Sequence, residues 1–421
     1  MKNIKVFIDG FISRAGSYVF SASVLSRLLS FFASWIALKL IPNKELGAVI
    51  YAFQIVTFII PIAGFGLQIG VIRYGALVKT LEEKNNLFIY ALKKGTTVSL
   101  VIISILITIS VFIDFKLQKT NFYLILLSFA ILTMFLFELV QIQFRLQKNN
   151  KLFSYADITY NTLLVVFVFI LSYFFKELGY AIALISVPLV TSLLFIKKLN
   201  IDWKKYSKSK VIDYSFWKYG FYSSLANVTS QLLIAIDIIL IGSILNNLEL
   251  VTAFRYISII PYSLIFLSQV VMITDYVNFT EKINQKKYII EYAKNYMKLF
   301  LIISILLLLF IIVFGAKLLS VFEVEYANYH STLLILTIGV SGILIFRGLF
   351  GNLLSSIGKA NANFFITIIS VILNIILNYY LIPKYEILGA AITSAILMWV
   401  TGILSMVLFY YYFKKINTFD K

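Results

Sequence analysis

Apolar positions in this chain come in unbroken runs, not in stripes. SLVIISILITISVFI at 99–113 and LFLIISILLLLFIIVFG at 299–315 have no polar face, as expected of helices surrounded by hydrocarbon. With their flanks these runs reach the roughly 20 residues that a helix needs to cross a bilayer. Alternation at period two is absent, so a membrane barrel is excluded and only helices can satisfy their own backbone in lipid. The pattern predicts twelve spans, at 17–38, 46–70, 94–114, 122–146, 153–175, 177–197, 216–245, 251–275, 295–320, 328–355, 361–382 and 386–413. The fold class is therefore an all-α integral membrane protein.

Composition agrees and narrows the chemistry. The chain is 61% hydrophobic and 13% charged, against roughly 25% charged in soluble domains. There is no cysteine, and His330 is the one histidine, so disulfides, thiolate metal sites and poly-His centres are excluded. The first residues, MKNIKVFIDGFISRAG, lack a short apolar core ending in a cleavage site and read as a retained cytoplasmic lead-in.

The net charge of +18 would suggest nucleic acid in a soluble protein, but its distribution gives a topological reason instead. Alternate connectors hold 27 Lys and Arg on one side of the membrane and seven on the other. The positive-inside rule then places both termini in the cytoplasm and predicts no nucleic-acid partner. The longest basic connector, KKLNIDWKKYSKSKVIDYSFWK at 197–218, falls between spans six and seven and reads as a solvated linker. It divides the chain into a six-helix lobe at 1–197, a linker at 198–215 and a second six-helix lobe at 216–421, the two-half plan common among transporters.

A short motif recurs where spans meet: KELGAVIYA at 44–52, KELGYAIA at 176–183 and YEILGAAIT at 385–393. Glu45, Glu177 and Glu386 lie in or just before the first turn of an even-numbered helix, where a carboxylate is favoured by roughly 0.3–1 kcal/mol. Gly47, Gly179 and Gly389 let neighbouring helices approach closely, and Pro42 and Pro383 mark the turns.

LIPNKELGAVIYAFQIVTFIIPIAGFGLQIGVIRYG at 40–75 resembles the first hairpin of the polysaccharide flippases, and NIILNYYLIPKYEILGAAITSAI at 374–396 resembles their penultimate hairpin. Asp237 stands where these proteins often carry an Asp in span seven. The chain thus resembles the O-antigen and polysaccharide (Wzx-like) flippases of the MOP superfamily over essentially its whole length. The resemblance implies a MATE-like fold: two pseudo-symmetric six-helix lobes around a central cavity that opens alternately to either side. It also implies an undecaprenyl-pyrophosphate-linked oligosaccharide as cargo, the bacterial cytoplasmic (inner) membrane as location, and a polysaccharide polymerase and chain-length regulator as partners. Two further spans of the related lipid II flippases are not found. Glu386 replaces a residue that is often Gly in the family, which predicts a looser turn.

Carrying a pyrophosphate through a low-dielectric slab requires cations inside it. Arginine suits best, because its fork binds phosphate oxygens bidentately and stays charged. Arg27 in span one, Arg255 in span eight and Arg347 in span ten are the candidate substrate-binding residues. Glu138 and Asp237 are the intramembrane acids, candidates for coupling Na⁺ or H⁺ or for balancing the arginines. Glu138, Gln141 and Arg145 share a helical face, so local pairing of Glu138 is an alternative. Pro61, with Gly64 and Gly66, makes span two a candidate hinge; Pro188 and Pro261 also lie within spans.

Two other functions compete. A multidrug or organic-cation exporter of the same superfamily would want a carboxylate-lined cavity, against which the three arginines argue. A membrane glycosyltransferase or polymerase would need a larger outer loop than KLLSVFEVEYANYH at 317–330, which offers only Glu323, Glu325 and His330. The expectation is a protein without enzymatic activity, resident cofactor or bound metal.

Overall fold

A computed structural model describes residues 17–78, 80–113, 117–199, 201, 203, 206–207, 211–269, 271–272, 285–357 and 359–415. The lead-in expected at 1–16 and parts of the connector at 198–215 lie outside them. Among the described residues every regular element is a helix. Among the described residues eight helical stretches are long and apolar enough to cross a membrane.

Two of the eight are too long to be single spans. Asn150–Leu199 has 50 residues and Asn361–Lys414 has 54, and either would extend to about 75–80 Å if straight, more than twice the ~30 Å hydrocarbon core. Each is a hairpin whose apex leaves helical geometry, at Lys176 (φ 49°, ψ −128°) and at Glu386 (φ 51°, ψ −133°). The glycine three residues on explains the tightness. A Cβ on Gly179 would run into the carbonyl of Leu171, and one on Gly389 into that of Leu381. In a continuous helix residues eight apart stand ~12 Å from one another. With these hairpins divided, and with Ser17–Leu40 and Tyr214–Leu245, each of the twelve expected spans has its helix.

The second hairpin corrects one expectation. Glu386 does not loosen its turn; it adopts nearly the same dihedral angles as Lys176, in a region that favours glycine. Lys176, not Glu177, is its structural counterpart.

Contacts divide the chain into two compact units, one of Ser21–Thr252 and another holding residues 17–20 and the described residues from Ala253 onward. The sequence reading draws the lobe boundary through the connector at 198–215. The difference is span seven, Tyr214–Leu245, which packs along span two within the first unit. Small residues make that packing possible. A Cβ on Gly242 would overlap the Tyr51 ring, and Tyr51 hydrogen-bonds Ser243 across the same seam at 2.8 Å. Gly47 lies against the Leu248 carbonyl, and Thr252 Oγ1 donates to the Asn43 carbonyl at 2.7 Å.

The connector is not a freely solvated linker in its described part. Asn86 and Ser207 exchange two hydrogen bonds, of 3.0 and 3.2 Å. Trp203 meets Phe88 edge-on, and Gln147 Nε2 donates to the Leu199 carbonyl at 3.2 Å. Trp203, Ser207 and the Leu199 carbonyl dock it onto the near ends of spans three and four.

At the ends assigned to the outside, two of the repeated acids meet a single cation. Lys119 Nζ pairs with Glu177 at 2.8 Å. Glu177 first, and Glu45 to a lesser degree, push the Lys119 ammonium up from its ordinary value. On the alkaline side the pair thus holds through the usual lysine range and is lost as pH rises through the elevated value; on the acid side it is lost when Glu177 is protonated. Lys119 is 57% exposed, so the pair contributes at most about 0.2–1 kcal/mol.

In the second unit Tyr296, Phe300, Leu344, Leu349, Phe350 and Phe409 form the buried centre. Lipid tails are as apolar as these side chains, so packing and internal hydrogen bonds, not water exclusion, hold such a core. Its buried hydroxyls turn back onto their own helices. Thr337 donates to the Leu333 carbonyl, Ser341 to that of Thr337 and Ser370 to that of Ile366, at 2.8, 3.0 and 2.7 Å.

The hairpin apices generate a first prediction. Glu386→Gly relieves a strain of about 1–3 kcal/mol, offset in part by glycine's extra backbone entropy of roughly 0.5–1 kcal/mol, and raises the apparent Tm in detergent. Gly389→Ala lowers it. Equal shifts for the two variants would show that the turn is unstrained.

Candidate functional site

Span two is interrupted at its middle. Asn43–Ile59 ends at Pro61, the chain passes through Ile60–Gly66, and helix resumes at Leu67. Ala63 is extended (φ −50°, ψ 137°), while Gly64, Phe65 and Gly66 are left-handed at φ 59°, 52° and 72°. Proline removes a donor and two glycines tolerate positive φ, which is why the break falls here. Backbone freed at membrane depth needs partners inside the protein. Gln68 Nε2 donates to the Pro61 carbonyl at 3.2 Å. Neighbours fit closely around the break: Phe135 covers Gly64 and Gly95, and Gly66 faces the Gly220 carbonyl of span seven. The expected hinge residues Pro61, Gly64 and Gly66 thus form a discontinuous helix.

The first unit also holds the acids. Asp237 in span seven is fully buried. Glu138 in span four is half-buried and has no hydrogen-bond or ion-pair partner among the described residues. Local pairing with Arg145 does not occur, because that guanidinium lies 5.8 Å from the Phe153 ring centre instead. Next to Glu138, Phe137 stacks on Tyr160 with ring centres 4.8 Å apart.

A third acid escaped the sequence reading. Asp157, a few residues into span five, is half-buried and is the carboxylate whose charge bears on Arg27. It falls within the span expected at 153–175 but was not singled out with Glu138 and Asp237. Arg27 itself is exposed on the surface of its unit, and the Asp157 field partly compensates its charge.

Arg255 and Arg347 belong to the second unit. Arg255 is half-buried in Leu248–Ser263 and has no side-chain partner among the described residues. Arg347 ends a wide turn, Ile343–Arg347, in which span ten loosens to π-helical winding. Such turns commonly mark functional positions. Tyr296 Oη donates to the Leu344 carbonyl within that turn at 2.9 Å. Gly402 presses against Phe346 and the Gly342 carbonyl, which brings span twelve close enough to touch the turn.

The Arg347 guanidinium rests on three neutral groups. Nη1 donates to Asn363 Oδ1 at 3.0 Å and to Ser405 Oγ, and Nη2 donates to Thr367 Oγ1 at 3.4 Å. Among the described residues no carboxylate pairs with it. The cradle, assembled from residues dispersed over spans eleven and twelve, was not read from the sequence. Among the described residues no cluster of three metal-ligating side chains occurs, and His330 hydrogen-bonds the Ile311 carbonyl at 3.0 Å.

This arrangement of spans has a counterpart among solved proteins: the fold is that of the MATE-like transporters of the MOP superfamily. The chain superposes on an inward-facing MATE-family multidrug resistance transporter with TM-score 0.73 at 17% identity, over 94% of this chain and 96% of that one. It superposes on the lipid II flippase MurJ in an inward closed conformation with TM-score 0.74 at 17% identity, over 95% and 88%. A MOP superfamily transporter from Pyrococcus furiosus, described as having a binding pocket of reversed polarity that suggests a different function, gives 0.68 at 16% identity over 97% and 96%. In sequence, 115 residues are 36% identical to the capsular polysaccharide biosynthesis protein CapF of Staphylococcus aureus, a stretch that spans 27% of each chain. No family model matches. The chain is thus a multi-pass membrane protein with a MATE-like fold.

The break in span two generates a second prediction. Gly66→Ala forces a Cβ into the left-handed region and against the Gly220 carbonyl. It destabilises by about 2 kcal/mol or more and lowers the apparent Tm of the detergent-solubilised protein. An unchanged melting curve would mean that the segment is continuous helix in solution.

Proposed function

We propose that the chain is a transporter that flips a polyprenyl-pyrophosphate-linked oligosaccharide from the inner to the outer leaflet of a bacterial cytoplasmic membrane, for O-antigen, capsule or exopolysaccharide synthesis. The observation that carries this reading is Arg347: a guanidinium within a membrane-spanning helix, held by an amide and two hydroxyls and not cancelled by an acid. A fixed cation of this kind lowers the cost of bringing a diphosphate into a low-dielectric interior. Arg255, without a side-chain partner among the described residues, and Arg27 are assigned as further phosphate contacts. The stretch shared with CapF and the fold shared with the lipid II flippase MurJ support a lipid-linked glycan as cargo.

The cycle follows from the charges. Alternating access presents the arginines to one leaflet and then the other, and the discontinuous span two supplies a place to bend. No bond is made or broken, so the activity is transport and not catalysis. Asp237 or Glu138 would take up Na⁺ or H⁺ if transport is coupled to a gradient. Both termini are assigned to the cytoplasm by the lysine asymmetry, and the polymerase and chain-length regulator that use the cargo act on the other side.

The fold shared with the multidrug transporter supports a second reading, export of organic cations, for which the unpaired Glu138 would be the contact. The two readings separate on charge.

Arg347→Ala should lower flipping of a fluorescent polyprenyl-pyrophosphate oligosaccharide in proteoliposomes by about ten- to a hundredfold, the loss expected for a charge-assisted hydrogen bond. Arg27→Ala should abolish it at unchanged protein level. Full transport by Arg347→Ala, together with uptake of a lipophilic cationic dye that Glu138→Gln abolishes, would replace this reading with the exporter.

A further inference from the structure

The three partners of Arg347 are each locked as acceptors. Asn363 is the clearest case. Its Nδ2 donates to the Gly351 carbonyl at 2.7 Å and to Ser355 Oγ at 3.2 Å. Turning the amide over would set its NH₂ against the guanidinium and its oxygen against a carbonyl, so Oδ1 must face Arg347. The hydroxyls are committed in the same way. Thr367 donates its one proton to the Asn363 carbonyl and Ser405 donates its own to the Thr401 carbonyl, each at 2.8 Å.

A guanidinium has five N–H donors. Both hydrogens of Nη1 and one of Nη2 are used in the cradle. The Nε hydrogen and the second Nη2 hydrogen have no partner among the described residues, and Arg347 is only half-buried. Those two belong to the edge of the fork that grips two oxygens of one phosphate. Gly351 leaves space beside it, since a Cβ there would stand 3.9 Å from Cζ and Nε.

We infer that Asn363 is a positioning residue, whose fixed amide holds Arg347 cationic, uncancelled and with its Nε–Nη2 edge presented to a phosphate oxygen pair. This rests on the reading of Arg347 as a substrate contact. It adds that the neutrality of Asn363 matters as much as its hydrogen bond. A carboxylate of the same shape would still accept from the guanidinium, at the cost of setting its second oxygen against the Gly351 carbonyl, but would cancel the charge that the cargo needs.

The isosteric variant Asn363→Asp separates holding from presenting. The full chain in detergent is titrated with farnesyl pyrophosphate, with farnesol as the uncharged control, and its melting temperature is followed in parallel. Asn363→Asp should weaken farnesyl pyrophosphate binding about tenfold or more while farnesol binding does not change; the melting temperature reads the separate cost of an oxygen facing the Gly351 carbonyl. Asn363→Ser, neutral but too short to hold the guanidinium, should give a smaller loss and keep the measurement informative if the Asp variant does not fold. Added to Arg347→Met, Asn363→Asp should cause no further loss. Wild-type affinity in Asn363→Asp, with affinity lost in Arg347→Met, would overturn the role of Asn363 alone. Wild-type affinity in Arg347→Met would instead overturn the reading of Arg347 on which it rests.

Discussion

Hydrocarbon offers no hydrogen bonds, so every polar group that enters it must find its partner within the chain. Helices meet that demand for the backbone, and buried hydroxyls such as those of Thr337, Ser341 and Ser370 meet it by turning back onto carbonyls of their own helix. Departures from helix are confined to places where something stands in for the lost bonds. At the break in span two the Gln68 side chain reaches the Pro61 carbonyl. At the wide turn in span ten the Tyr296 hydroxyl reaches that of Leu344. Both irregular segments lie where glycine lets a second helix come very close: Gly66 with Gly220 in one unit, Gly342 with Gly402 in the other. Close approach and local unwinding go together because the neighbour seals the gap in the ladder.

The same demand applied to charge divides the candidate residues. Lys119 and Glu177, where the chain meets water, form an ordinary exposed ion pair. Arg27 lies in the field of Asp157. Arg347 is treated differently, because its partners solvate a cation without neutralising it. Replacing a buried pair by neutral groups avoids the desolvation of a second ion and leaves a positive potential directed outward from the site.

Much of the architecture was legible before any coordinates. Runs such as 299–315 have one physical explanation, and the lysine asymmetry checks where the spans end. The hairpin apices were visible in KELG and EILG as glycines. That Glu386 matches Lys176 rather than Glu177 was not visible, because backbone dihedrals follow position in the turn and not side-chain likeness. The candidate site was legible only in its charges. Arg347 is conspicuous in an apolar run, whereas Asn363, Thr367 and Ser405 are unremarkable until spans eleven and twelve bring them to one guanidinium. Asp157, close to the start of span five, was missed because nothing in the sequence places it beside Arg27. The docking of Trp203 and Ser207 was hidden by the lysines around them, since charge announces solvent while the residues between make the contacts.

The neutral cradle bears on what can be carried. An organic cation entering near Arg347 meets an uncancelled like charge, and at an effective dielectric of about 20 two charges 4 Å apart repel by about 4 kcal/mol. An anion gains by a comparable amount, and a diphosphate can use the two remaining donors of the fork with the charge uncancelled, where a carboxylate-paired arginine would offer donors without net charge. Lysine at this position would keep the charge but lose the planar edge, and with it the match to two oxygens of one phosphate. On the proposed reading, discrimination between cargoes of opposite sign follows from an amide standing where a carboxylate would fit.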